Sequence, residues 1–169
     1  MKSTYWKALA VLAAGTVMLL GVRRGAAAHP TDWDRDGRTL VGTWEVTVTP
    51  QACPNGPAPV STSPFKSLLT FNDGGTMTET TANPASFPAF RGPAHGVWSH
   101  TGHQTYMSDM KALITLNGAL VKEQKISQTI EIGDDPDQFT TGQVSVQFFD
   151  PAGNLLVSGC ASAVGQRFE

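Results

Sequence analysis

The chain has 169 residues, with 12 Lys and Arg against 14 Asp and Glu. Its first 28 residues hold four of the basic side chains (Lys2, Lys7, Arg23, Arg24) and none of the acidic ones, so the remainder carries 8 − 14 = −6. An acidic body without a basic cluster argues against nucleic acid and anionic membrane surfaces as partners.

Residues 1–28 read as a secretory signal peptide. Lys2 and Lys7 precede an apolar run, Ala8 to Val22, that is short for a transmembrane helix, and Ala26-Ala27-Ala28 offers a small-residue cleavage site. Arg23 and Arg24 keep an uncleaved anchor open as the alternative. No Cys follows the run to carry a lipid. The expectation is a secreted or periplasmic protein with no membrane span after cleavage.

Residues 29–39 form an acidic linker. Asp32, Asp34, Asp36 and Gly37 match the opening of a calcium loop, but position 12 is Thr43 where a bidentate Glu is needed. The triad is a weak calcium candidate, and the simpler reading is a solvated turn at Asp36-Gly37. After cleavage His29 would pair its amine with its imidazole, a copper-chelating arrangement only if another His approached. No cofactor is expected.

From 40 onward no helical period stands out, and short alternating runs are punctuated by turns. Eight runs are predicted as strands: 40–49, 65–71, 76–81, 96–101, 103–116, 119–132, 138–149 and 154–164. "SDMKALITL" within the fifth also suits a short helix. "NDGG" (72–75) and "NG" (117–118) favour positive φ, and "DDPD" (134–137) and "DPAG" (150–153) are turn clusters. Two Pro-rich stretches, 50–64 and 82–95, read as long unpaired connections. Eight consecutive strands imply an all-β fold, an eight-stranded antiparallel up-and-down barrel over 40–169. In such a meander both long connections fall at one end. The other end is tight and holds both chain termini.

Gly42-Thr43-Trp44 at the first strand and Arg167 after the last resemble the calycin superfamily, the lipocalins and their short bacterial lipocalin-like relatives. The resemblance implies that Trp44 packs under Arg167 and closes the barrel floor, so both are structural. The meander brings the two to the same end, where guanidinium would stack on indole. The C-terminal helix of animal lipocalins has no counterpart here.

In an exported protein Cys53 and Cys160 read as a disulfide, with two free thiols or a two-Cys metal site as alternatives. Period-2 phasing turns Trp44, Val46 and Val48 inward, with Tyr106, Met110, Ala112 and Ile114 from the fifth run. The sixth contributes Leu120, Lys122, Gln124, Ile126, Gln128, Ile130 and Ile132. Val144, Val146 and Phe148 follow, then Val157, Gly159, Ala161 and Ala163. Tyr106, Lys122, Gln124 and Gln128 would give an apolar cavity its polar groups, with Phe87, Phe90 and Arg91 at the mouth and Trp98 as a fluorescent reporter. A packed interior, with Lys122 turned out at the rim, is the alternative. Among acid–base candidates, Glu79, Asp109, Tyr106 and Lys122, none joins a nucleophile motif. The expected function is binding or carrying a small hydrophobic molecule. A cyclase or isomerase, or a structural barrel, stands as the alternative. The sequence fixes no oligomeric state.

Overall fold

Alternation of inward and outward side chains carries this fold, and the run at 105–116 shows it most clearly. Tyr106, Ser108, Met110, Ala112 and Ile114 are buried, while Met107, Asp109, Lys111 and Leu113 between them are exposed. That pattern is a strand's, so the short-helix alternative falls. The computed structural model describes residues 39–168 apart from Asn55, Pro57, Val60, Pro84 and Ala85. The signal segment, most of the linker, His29 and the calcium candidates Asp32, Asp34 and Asp36 lie outside the described residues.

The strands are β1 (Gly42–Gln51), β2 (Phe65–Phe71), β3 (Thr76–Thr81), β4 (Phe90–Gly102), β5 (Thr105–Leu116), β6 (Ala119–Ile132), β7 (Gln138–Thr141), β8 (Val144–Phe149) and β9 (Leu155–Arg167). Every pairing is antiparallel, from β1 to β7 each strand pairs with its sequence neighbour, and β9 returns to β1 from Trp44↔Arg167 to Gln51↔Cys160. Strands β7 and β8 both lie between β6 and β9. They occupy one place in the sheet, so the result is an eight-stranded closed antiparallel barrel with no substantial helix. Closure leaves no unpaired edge. Among the described residues no helix is long and apolar enough to cross a membrane.

The tight turns follow local chemistry. Asn117 and Gly118 take φ of 50° and 79°, the double positive φ that a two-residue hairpin needs. Three corrections to the strand reading share one cause, the β-bulge, which adds a residue to one strand and switches which side chains face in. In β4, Arg91↔Ile114 is followed by Ala94↔Ala112, so Gly92-Pro93 holds an extra residue. The proline needs no ladder donor there. Residues 90–95 therefore belong to β4 and not to an unpaired connection. In β6 the extra residue lies at Val121, between Lys122↔Ile114 and Leu120↔Thr115. Leu120, expected inward, is consequently 39% exposed.

The run at 138–149 is broken by the third bulge, between Thr140↔Val164 and Val144↔Ala161. There the Thr141 hydroxyl accepts from the Ala163 amide at 2.7 Å, replacing a ladder bond. The switch turns Phe139 and Thr141 inward ahead of Val144 and Val146. A single unbroken phase would have put Phe139 outside.

The core fills the tight half of the barrel. Trp44, Phe71, Met77, Tyr106, Ile130, Ile132 and Phe139 are each 2% exposed or less. Phe139 meets Trp44 edge-on at 4.9 Å between ring centroids. Arg167 closes this floor, its Cζ 4.3 Å from the Trp44 ring centroid. Its guanidinium donates to the carbonyls of Val41 and Thr39, both at 2.9 Å, and to Pro136 at 3.3 Å, and its Nε pairs with Asp137 at 2.8 Å. Gly42 is required beside it. Its φ is +132°, and a Cβ there would lie 2.7 Å from Arg167 Nη1.

Candidate ligand cavity

The open half of the barrel is hollow. The inner face of β9 is small at Gly159, Ala161 and Ala163, and the space beside them is a cavity of about 700 Å³. Its wall is mainly apolar, with Val46, Leu69, Met110, Ile126, Val144 and Val146 among the lining residues. Ala58, Pro59, Ser61 and Pro64 of the Pro-rich β1–β2 connection reach over it. That connection is pinned to the wall by the Cys53–Cys160 disulfide, which joins residues 107 apart in sequence.

A buried polar network interrupts the apolar wall. Arg91 and Glu79 approach to 2.7 Å, with side chains 5% and 6% exposed. Neither Arg91 Nη2 nor Glu79 Oε2 completes a hydrogen bond, so the contact is an ion pair lying off the hydrogen-bonding line. The other carboxylate oxygen, Glu79 Oε1, accepts from Ser67 Oγ at 2.6 Å. Arg91 Nε donates to Gln124 Oε1. That last contact runs from β4 to β6 across the whole of β5. It is possible because the β5 residue facing Gln124 is Ala112, itself paired with Ala94 on β4. Any longer side chain at 112 would fill the path. A buried pair with these extra hydrogen bonds tolerates its desolvation, whereas either partner alone would not.

Deeper along β6, Gln128 is 7% exposed and lines the cavity, yet its Nε2 has no hydrogen-bond partner among the described residues. Ser108, directly across on β5, is 3% exposed and its hydroxyl is likewise unpartnered. Leaving such groups unsatisfied costs on the order of 1–3 kcal/mol each.

Of the eight side chains expected around the cavity and mouth, Arg91, Gln124 and Gln128 line it. The other five do not. Tyr106 faces inward as expected but is fully buried in the floor, with Trp98 at 5.7 Å and His100 at 5.0 Å. Trp98 sits in the same half and donates from Nε1 to the Asn72 carbonyl at 3.0 Å. Lys122 is exposed near the β5–β6 turn, off the lining. Phe87 and Phe90 are 87% and 69% exposed and are not among the lining residues. Arg91 is expected on the mouth loop and lies just inside β4 at that end. The bulge at Gly92-Pro93 turns its side chain inward.

Ser67 is not singled out from the sequence and Glu79 is named there only as an acid–base candidate, though strand phase turns both inward. Glu79 shares a face with Met77 in β3, and Ser67 lies between Phe65 and Leu69 on the inner face of β2. The four acid–base candidates do not converge. Glu79 is engaged by Arg91 and Ser67, and Asp109 is exposed, holding Ser127 and, at 3.8 Å, Lys125. Among the described residues no group of three or more His, Cys, Asp or Glu is placed to hold a metal ion. No family model, curated protein or solved structure matches the chain.

Proposed function

We propose that this protein is an exported, lipocalin-like barrel that binds a small, largely apolar molecule in its open half. The observation that carries the reading is the cavity of about 700 Å³ with an apolar wall and the buried, unpartnered amide of Gln128 facing into it. Small-molecule sites run to roughly 300–1,000 Å³ and combine apolar lining with a few placed polar groups. Kinship with the calycins is part of the proposal, supported by Gly42, Trp44 and the Arg167 stack at the floor. Export rests on the Lys2-to-Ala28 segment and is favoured by the disulfide, a bond of oxidising compartments. The cyclase or isomerase alternative needs a free acid or base in the cup. The carboxylate there is already held by a cation and a hydroxyl, which favours binding over catalysis.

Trp44 and Trp98 belong to the packed half, so intrinsic fluorescence is a poor reporter of occupancy. The test is native mass spectrometry of protein recovered from exporting cells, together with uptake of the uncharged probe N-phenyl-1-naphthylamine. A co-purified small molecule, or saturable probe fluorescence at one site per chain, is the expected result. An unliganded mass together with no probe uptake overturns the reading.

A further inference from the structure

We infer, resting on the binding reading above, that the cavity selects uncharged molecules carrying a hydrogen-bond acceptor at one end and discriminates against carboxylates of the same chain length. The charged residues lining the cavity, among those described, are Glu79 and Arg91, and each neutralises the other at 2.7 Å. Lys122, the remaining cation suggested for the interior, is exposed away from the lining. A carboxylate entering this space leaves its hydration behind and finds no uncommitted cation. It also meets the Glu79 carboxylate on the wall. Burial of an unpaired charge is the most unfavourable transfer a protein interior can impose.

An uncharged acceptor meets the opposite situation. The unpartnered buried donors are Gln128 Nε2, which lines the cavity, and, across the ladder from it, the Ser108 hydroxyl. Their position also sets an orientation. Strand β6 runs from the mouth at Ala119 to the floor at Ile132, and Gln124, Ile126 and Gln128 all face inward. Gln128 therefore lies about 13 Å along the strand below the Gln124–Arg91 contact. An alcohol, ketone or amide would place its polar end at Gln128, with its chain rising past Ile126 and the neutral ion pair towards the mouth.

The experiment is competition against bound N-phenyl-1-naphthylamine near neutral pH with decanol, decanamide, decanoate and decane, on the wild-type protein and two variants. Decanol and decanamide are expected to displace the probe at concentrations at least about tenfold below decanoate, a factor that one unpaired buried charge readily supplies. Glu79→Gln leaves Arg91 without its counter-charge and is expected to shrink or invert that ratio. Gln128→Leu removes the donor and is expected to bring decanol down to decane, leaving decane itself unchanged, and this variant introduces no buried charge that could prevent folding. Decanoate binding as tightly as decanol to the wild type overturns the selectivity, and so does decanol binding unaltered in Gln128→Leu, while the cavity reading survives both. Failure of the probe and of all four compounds to bind removes the cavity reading as well.

Discussion

Replacing Gly165 by alanine puts a methyl carbon where the Phe139 ring already is. A Cβ built on Gly165 overlaps Cε1 and Cζ of that ring and comes within 2.7 Å of its Cδ1. The ring cannot step back, because Phe139 is 1% exposed and its other side rests on Trp44, itself fully buried under Arg167. Overpacking of this kind costs about 1–3 kcal/mol, and a floor with no slack points to the upper end, ~3 kcal/mol. Gly159 on the same strand supplies the control. A Cβ there meets nothing within 4 Å, so Gly159→Ala is expected to stay within about 0.5 kcal/mol of the parent. Urea unfolding followed by circular dichroism separates the two. With a slope of roughly 1.5–2.5 kcal/mol per M, suited to a chain of this size, Gly165→Ala should lower the midpoint by about 1–2 M. A shift below ~0.3 M, or an equal loss in Gly159→Ala, would refute the packing argument.

Two further outcomes follow from the two ends of β9. Arg167→Lys removes the planar stack on Trp44 and cannot serve Val41, Thr39, Pro136 and Asp137 together. It should destabilise by about 2–3 kcal/mol in the same urea assay, and a loss under ~0.5 kcal/mol would show that the stack is ornamental. At the β8–β9 turn, hydrogen bonds from the Asn154 side chain and amide, and from Ala152, hold the Asp150 carboxyl below its ordinary 3.8. A depressed folded value means that the turn's bonding is intact above the ordinary value and is lost only as pH falls through the lower, folded one. Amide resonances of Ala152 and Asn154 should therefore titrate with a midpoint below 3.8, and a midpoint at or above 3.8 contradicts the assignment.

The barrel was legible because its strands are long and half-buried. β2, β3 and β6 match the alternating runs residue for residue, and Gly42, Trp44 and Arg167 marked where the sheet closes. What alternation cannot show is where it resets. The extra residues at Gly92-Pro93, Val121 and Gly142-Gln143 moved Arg91, Leu120 and Phe139 to faces that an unbroken phase denies them. A bulge is a property of two paired strands, and one strand's sequence carries only half of it. Depth was invisible for a similar reason. Tyr106 and Gln128 share the inward face of neighbouring strands, yet one lies in the floor and the other lines the cavity. The height of each residue above the floor depends on how the whole sheet is staggered on closing. The Arg91–Gln124 contact needed three strands and one small residue at 112, a coincidence no local pattern announces.

The bridge at Cys53 also constrains how the entrance can open. The proline-rich strap over the mouth is tethered to the wall at one end by sulfur, and at the other it passes straight into the hydrogen-bonded ladder at Phe65. A cord fastened at both ends can bow but cannot swing aside like a flap. Any widening of the mouth is therefore left to the other turns at that end, such as those between β5 and β6 and between β8 and β9, which carry no disulfide.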